Sequence, residues 1–315
     1  MYNSYLKFFA FSTLFTSSLI LFGLKQDTAD ITNAQLNEQS ILAINWLQQS
    51  GEYQALTYQA FNVAELIFEQ AKVKKVRQPA IIVDIDETVL DNSAYQATLI
   101  DTNNSFEPST WNKWVAAARA KAVPGAVKFV NYVNDNGGKV FFISNRDKSS
   151  TKDKQNNDLE IATINNLKSV GFKGVNTDTV LLKGEFSKII DGKENTSKKW
   201  RREAVENGKA DGKKYTVVAL IGDNLNDFDE TAGKSNQERR NHVENNRQHY
   251  GIFNAESKGK AIEPAYIVLP NPMYGNWETG LYNPQAFQKQ NAWELNAVQK
   301  NQQRKESLIR WLPDK

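Results

Sequence analysis

Five short apolar runs, Ala80–Ile85, Lys139–Ser144, Thr179–Leu182, Tyr215–Ile221 and Ala265–Leu269, are separated by longer stretches, several of them amphipathic. Runs this short, continuous and rich in β-branched residues read as strands buried on both faces. The stretches between them, such as Ala126–Asn134, Leu159–Val170 and Ser197–Glu206, carry helical periodicity. Pro124 and Gly125 introduce the first of these, and Gly137 and Gly138 close it, as helix boundaries require. Such alternation predicts an α/β fold, a central parallel sheet with helices on both faces. In sheets of this kind ligands bind beyond the carboxyl ends of the strands.

The polar residues at those ends form a pattern. The first run ends in Asp84, Asp86 and Thr88, the second in Ser144, Asn145 and Arg146, and the fourth in Gly222, Asp223, Asn224 and then Asp227. Side chains alternate along a strand, so Asp84 and Asp86 share a face if the extended geometry persists that far. Two carboxylates that close repel each other, and one pKa rises unless a cation neutralises them. One can then be a metal-bound nucleophile while the other serves as acid and base. Acidic, hydroxyl and amide groups at one sheet edge are what a magnesium–phosphate site needs.

Composition narrows the alternatives. A net charge of +3 spread through 315 residues lacks the one-sided basic stripe of a nucleic-acid binder. Local crowding at Lys198, Lys199, Arg201 and Arg202 reads as a solvated helix face. With no cysteine, disulfides, thiol catalysis and thiolate metal sites are excluded. His242 and His249, the two histidines, fit no zinc-protease spacing and read as surface residues. Tyr2–Lys7 carries one positive charge and Phe8–Leu24 is almost wholly apolar or small. That is the pattern of an export signal or, if retained, a membrane anchor.

The expected organisation runs from a signal peptide or anchor (1–24) through an accessory helical segment (25–77) to a core (78–285) and a C-terminal helix (286–315). Two helices are expected over Gln35–Val73, broken around Ser50–Glu52, with an apolar stripe that includes Leu42, Trp46, Leu47, Tyr58, Phe61, Leu66 and Phe68. Residues 92–123, rich in aromatics, are expected as a helical insert over the strand ends, and Gly184–Thr196 as a surface loop. Ala286–Leu312 reads as one long amphipathic helix.

With these residues in place, the chain resembles the haloacid dehalogenase (HAD) superfamily, and within it the bacterial class C acid phosphatases of the lipoprotein e, 5′-nucleotidase type. The motifs that carry the resemblance are DIDETVLDN, FFISNR and GDNLNDF, each at an expected strand end. Further pieces are ILAINWLQQSGEYQAL, AVPGAVKFVNYV and LPNPMYGNWETGL. The resemblance implies a three-layer HAD-like sandwich with a small helical cap and an exported, Mg²⁺-dependent phosphomonoesterase acting on nucleoside monophosphates. By the same likeness Asp84 is the nucleophile and Asp86 the general acid and base, touching the metal through its carbonyl. Asp84 and Asp223 are metal ligands by carboxylate, and Asp227 holds the metal shell or the catalytic lysine. Ser144 and Asn145 bind phosphoryl oxygens. Lys198 is the matching charge-offsetting lysine, with Lys183 as its rival. Trp111 and Tyr274 match positions that sandwich a nucleotide base.

Lipoprotein relatives end their lipobox in an acylated cysteine. Here LILFGL is lipobox-like but Leu24 stands where that cysteine would be, so association with a membrane rests on the apolar N-terminus alone. The partner expected is a small phosphomonoester and not a nucleic-acid polymer; a homodimer is compatible with these readings. A second reading is a surface protein that keeps this fold to bind a ligand such as haem with little turnover. It has few axial ligands to draw on.

Overall fold

The computed structural model describes residues 30–148, 159–254 and 262–311. The reading of residues 1–24 as a signal or anchor lies outside them. Five strands form one parallel sheet: β1 Pro79–Val83, β2 Lys139–Asp147, β3 Val180–Lys183, β4 Thr216–Gly222 and β5 Ala265–Val268, in the order β3-β2-β1-β4-β5. All five expected strands are present, and β1 lies at the centre.

Alternation along the strands builds two cores. Ile81, Val83, Val140, Phe142 and Ile221 pack with Phe61, Phe68, Phe129 and Leu167 on one face. Ala80, Ile82, Phe141, Ile143 and Leu220 pack with Val205 and Phe228 on the other. The first face is covered by α1 Gly51–Val73, α2 Ala126–Asp135 and α3 Leu159–Ser169, the second by α4 Lys198–Asn207. This is the three-layer arrangement that a sheet buried on both faces demands. The residues before β1 thus supply a layer of the sandwich through Phe61, Ala64 and Phe68 of α1.

The connection from β1 to β2 holds short helices at Ser93–Ala97 and Pro108–Ala117. An antiparallel pair, Leu90–Asp91 with Lys121–Ala122, closes its base. Among the described residues no helix is long and apolar enough to cross a membrane.

The structure departs from the sequence reading in several places. The N-terminal helical region is three helices, Asn33–Glu38, Ile41–Gln49 and α1. The expected break falls at Ser50, whose hydroxyl caps α1 by accepting from Tyr53 N. Leu42, Tyr58 and Leu66 are exposed rather than part of the buried stripe. Gly184–Thr196 contains a β-ribbon, Lys188–Ile190 with Lys193–Asn195. Asp191 and Gly192 at its tip both have positive φ, which matches the hairpin turn that Asp-Gly favours. The expected C-terminal helix is reduced to Ala297–Glu306, preceded by single turns at Pro284–Phe287 and Ala292–Glu294. Asn291 and Asn296 interrupt it as N-cap residues, and the Asn296 side chain accepts from Gln299 N, a competition with helix continuation that asparagine wins readily.

Gly138 lies hard against the helical layer on the first face of the sheet. A Cβ there would lie 2.5 Å from the Phe68 ring and 2.6 Å from Val133 Cγ1. Gly138→Ala is expected to lower unfolding free energy by about 1–3 kcal/mol, measured by urea denaturation, without displacing the strand ends that hold the site.

Candidate active site

The ladder of β1 continues through Asp84, whose N–H donates to Ile221 O at 2.8 Å. It then stops. The N–H groups of Val89 and Leu90 both turn back to Ile85 O, and Glu87 sits at φ +58. The extended geometry does not reach Asp86, so the two aspartates turn to different cations.

Asp84 is 7 % exposed and hydrogen-bonds the Lys198 ammonium. Lys198 Nζ also donates to Asp227 Oδ1 at 2.6 Å. Asp84, Asp223 and Asp227 bring carboxylate oxygens within 4.8 Å of one another. Gly222 makes room for this, since a Cβ there would run into the Asp227 carboxyl. Asp227 Oδ2 accepts from Asn224 N at 3.0 Å, and Asn271 Nδ2 donates to Asp223 Oδ2 at 2.7 Å. Three carboxylates around one ammonium leave an excess of negative charge. An all-oxygen donor set of that charge fits a hard divalent cation.

The electrostatics agree. Burial, the largest effect, pushes the Asp84 carboxyl up to about 7, helped by the charges of Asp227 and Asp86 and opposed by Lys198. Desolvation and the neighbouring Asp227 and Asp84 hold Asp223 well above the carboxylate range. Burial pulls Lys198 down, but Asp227 and Asp84 outweigh it and keep the ammonium above its usual range.

Asp86 belongs to a second network. Its carboxylate accepts from Arg146 Nη2 at 2.7 Å, Asn92 Nδ2 at 2.9 Å and Ser144 Oγ at 3.2 Å. The carboxylate cluster therefore contains Asp227 as its third member, while the Asp86 side chain stands apart from it. Asn145, exposed, accepts from Arg201 Nη2 at 3.1 Å. Lys183 is exposed, its Nζ 3.6 Å from Asp147; Lys198 is the lysine brought to Asp84. Trp111 packs edge-on to Tyr95 with centroids 5.2 Å apart, and the Arg146 guanidinium lies 5.9 Å from its ring. The Tyr274 hydroxyl donates to Glu87. Trp111 and Tyr274 make no ring contact with each other.

The sequence reading left Glu87, Asn92, Arg146, Arg201 and Asn271 without roles. Glu87 is buried, its carboxyl driven well up by burial, and it accepts from Asn92 N at 2.8 Å. Lys198, expected as the charge-offsetting lysine, is 6 % exposed, and Arg201, expected on a solvated face, is 0 % exposed. Their i, i+3 spacing puts them together on the inner face of α4. His242 and His249 are partly buried, His242 3.8 Å from Asp229 and His249 stacked on Tyr266.

A carboxyl whose folded pKa exceeds its unfolded one stabilises the fold at low pH, and that contribution is lost as pH rises through the folded value. With divalent cations chelated, the advantage of Asp84→Asn over wild type in thermal midpoint is expected to be smallest below about pH 4, where the carboxyl is protonated in both folded and unfolded chains, to grow as pH rises towards 7, and to be largest at pH 8. Added divalent cation should raise the wild-type midpoint at pH 8 and leave the variant nearly unchanged.

Comparison with known proteins agrees with this geometry. The family model for the HAD superfamily, subfamily IIIB (acid phosphatase), matches residues 16–277. The class C acid phosphatase from Bacillus anthracis is similar over 88 % of this chain and 99 % of its own, at 31 % identity and a TM-score of 0.69. The structure of class C acid phosphatase from the same organism with tungstate bound is 33 % identical over the same shares, with a TM-score of 0.68. With its strand-end carboxylates in a five-stranded parallel sheet, the chain belongs to the subfamily IIIB acid phosphatases of the HAD superfamily and is a phosphomonoester hydrolase.

Proposed function

We propose that the protein is an exported, Mg²⁺-dependent acid phosphatase and 5′-nucleotidase that works through an aspartyl-phosphate on Asp84. The observation that carries this reading is the Lys198 ammonium shared by Asp84 and Asp227, with Asp223 in the same cluster. Asp84 attacks phosphorus. Asp86, held in its separate network, protonates the departing alcohol and then takes a proton from the water that hydrolyses the aspartyl-phosphate. Lys198 offsets the charge that spreads over the phosphoryl oxygens in the transition state. Ser144 and Asn145 hydrogen-bond those oxygens.

Asp84 and Asp223, with Asp227 beside them and the Asp86 carbonyl, would hold Mg²⁺, which supplies neutralising charge against a phosphoryl dianion. Trp111 and Tyr274 stack on the nucleobase, a contact that tolerates many bases. The apolar N-terminal stretch directs export, and release of phosphate outside the cytoplasm yields an uncharged nucleoside fit for uptake. N-terminal sequencing of protein recovered from outside the cytoplasm is expected to begin after Leu24; an intact Met1 would make the stretch an anchor.

Phosphate release from several nucleoside monophosphates should require Mg²⁺ and fall on the order of 10⁴-fold or more in Asp84→Asn. Lys198→Met is expected to lower kcat by about 10²–10³-fold. Metal-independent release by wild type, or full activity in Asp84→Asn, would contradict the reading.

A further inference from the structure

The donors around Asp86 are unequally shared. Its Oδ1 accepts from Arg146 Nη2 at 2.7 Å, Asn92 Nδ2 at 2.9 Å and Arg146 Nε at 3.0 Å. Its Oδ2 has only two longer contacts, Ser144 Oγ and Arg146 Nε, both at 3.2 Å. Ser144 Oγ is a hydroxyl whose hydrogen can rotate away, so Oδ2 is the less committed oxygen.

Arg146 is itself fixed. It is 2 % exposed, and its Nη1 donates to Thr163 Oγ1 of α3 at 3.1 Å. The other donor on Oδ1 is equally held: Asn92 Oδ1 accepts from Trp114 Nε1 at 2.8 Å, and Asn92 N donates to Glu87 Oε1 at 2.8 Å. A guanidinium presents its donors in a rigid planar fork and keeps its protons throughout the accessible pH range. It can orient a carboxyl group but cannot replace one as an acid.

We propose that Arg146 is a positioning residue for Asp86, committing Oδ1 to the protein so that Oδ2 is the oxygen that transfers the proton. This rests on the reading of Asp86 as proton donor given above. In the step concerned, an Asp84 oxygen forms its bond to phosphorus and the ester P–O bond breaks. The electron pair goes to the ester oxygen, which takes the proton from Asp86 Oδ2. The alcohol leaves, and Asp86 remains as a carboxylate facing the Arg146 fork.

The test is a series of substituted phenyl phosphates that differ only in how readily the phenolate departs. An unsubstituted phenolate needs the proton; p-nitrophenolate leaves without it. The quantity kcat/KM reports steps only through the first irreversible one, so slow water attack does not mask the effect. Its ratio between two substrates also cancels the amount of correctly folded enzyme. Arg146→Met is expected to lower kcat/KM for phenyl phosphate by about 30–100-fold and for p-nitrophenyl phosphate by no more than about threefold.

Arg146→Lys restores the charge but not the fork, and should keep most of that selectivity. Thr163→Val, which frees only Nη1, should show a smaller change in the same direction and covers the case in which the Arg146 variants fail to fold. Equal losses on both substrates in the Arg146 variants would overturn the proposal, since a role in folding or phosphate attraction alone affects every ester alike. Asp86→Asn separates the two readings. Selective loss there with none in the Arg146 variants overturns the positioning role alone, whereas uniform loss in Asp86→Asn removes the proton-donor reading on which it rests.

Discussion

One buried ammonium organises this site. Lys198 lies between Asp84 and Asp227, with its side chain 6 % exposed. Taking a lysine and two carboxylates out of water costs several kcal/mol per ion unless each is well paired. The pairing is made by three elements that meet at one edge of the sheet: the end of β1, the turn after β4 and the start of α4. Asp84 is the central residue of that meeting, and its raised pKa shows that the lysine only partly offsets its burial. The remaining negative charge suits a divalent cation, and without one it would repel a phosphoryl dianion.

The same constraint explains the surrounding shell. Arg201, fully buried one turn along α4, hydrogen-bonds the Ser144 carbonyl, and its Nη2 donates to Thr196 O at 3.1 Å. It thereby ties the start of α4 to the end of β2, and so ties Lys198 to the strand that carries Ser144 and Arg146. The loop after β5 is fastened to the site at two points, Asn271 on Asp223 and Tyr274 on Glu87. A segment proposed to stack the substrate's base is therefore joined to both carboxylate networks.

Much of this was legible in the amino-acid sequence because strand ends in a parallel sheet are set by simple patterns. Continuous β-branched runs located all five strands, and the acidic motifs at their ends located Asp84, Asp223 and Asp227. The missing parts depend on geometry that composition does not carry. Whether Asp86 follows Asp84 onto one face depends on the turn at Ile85–Leu90, where Glu87 takes a positive φ that no sequence signal for glutamate announces. The burial of Arg201 was open to reading from its i, i+3 spacing to Lys198, but a run of four basic residues within five positions suggested solvent instead. The Asp191-Gly192 pair carries the sequence signal for the ribbon within Gly184–Thr196. At the C-terminus, asparagines that cap short turns outweighed the amphipathic pattern.

The division of labour proposed for the two aspartates makes a stereochemical demand. Attack by Asp84 followed by attack of water on the aspartyl-phosphate comprises two in-line displacements at phosphorus, each inverting it. A thiophosphate ester made chiral at phosphorus by oxygen-isotope labelling, hydrolysed in labelled water, reads the sum directly. Net retention of configuration is expected. Net inversion would mean that water attacks the ester in one step and that Asp84 never carries the phosphoryl group.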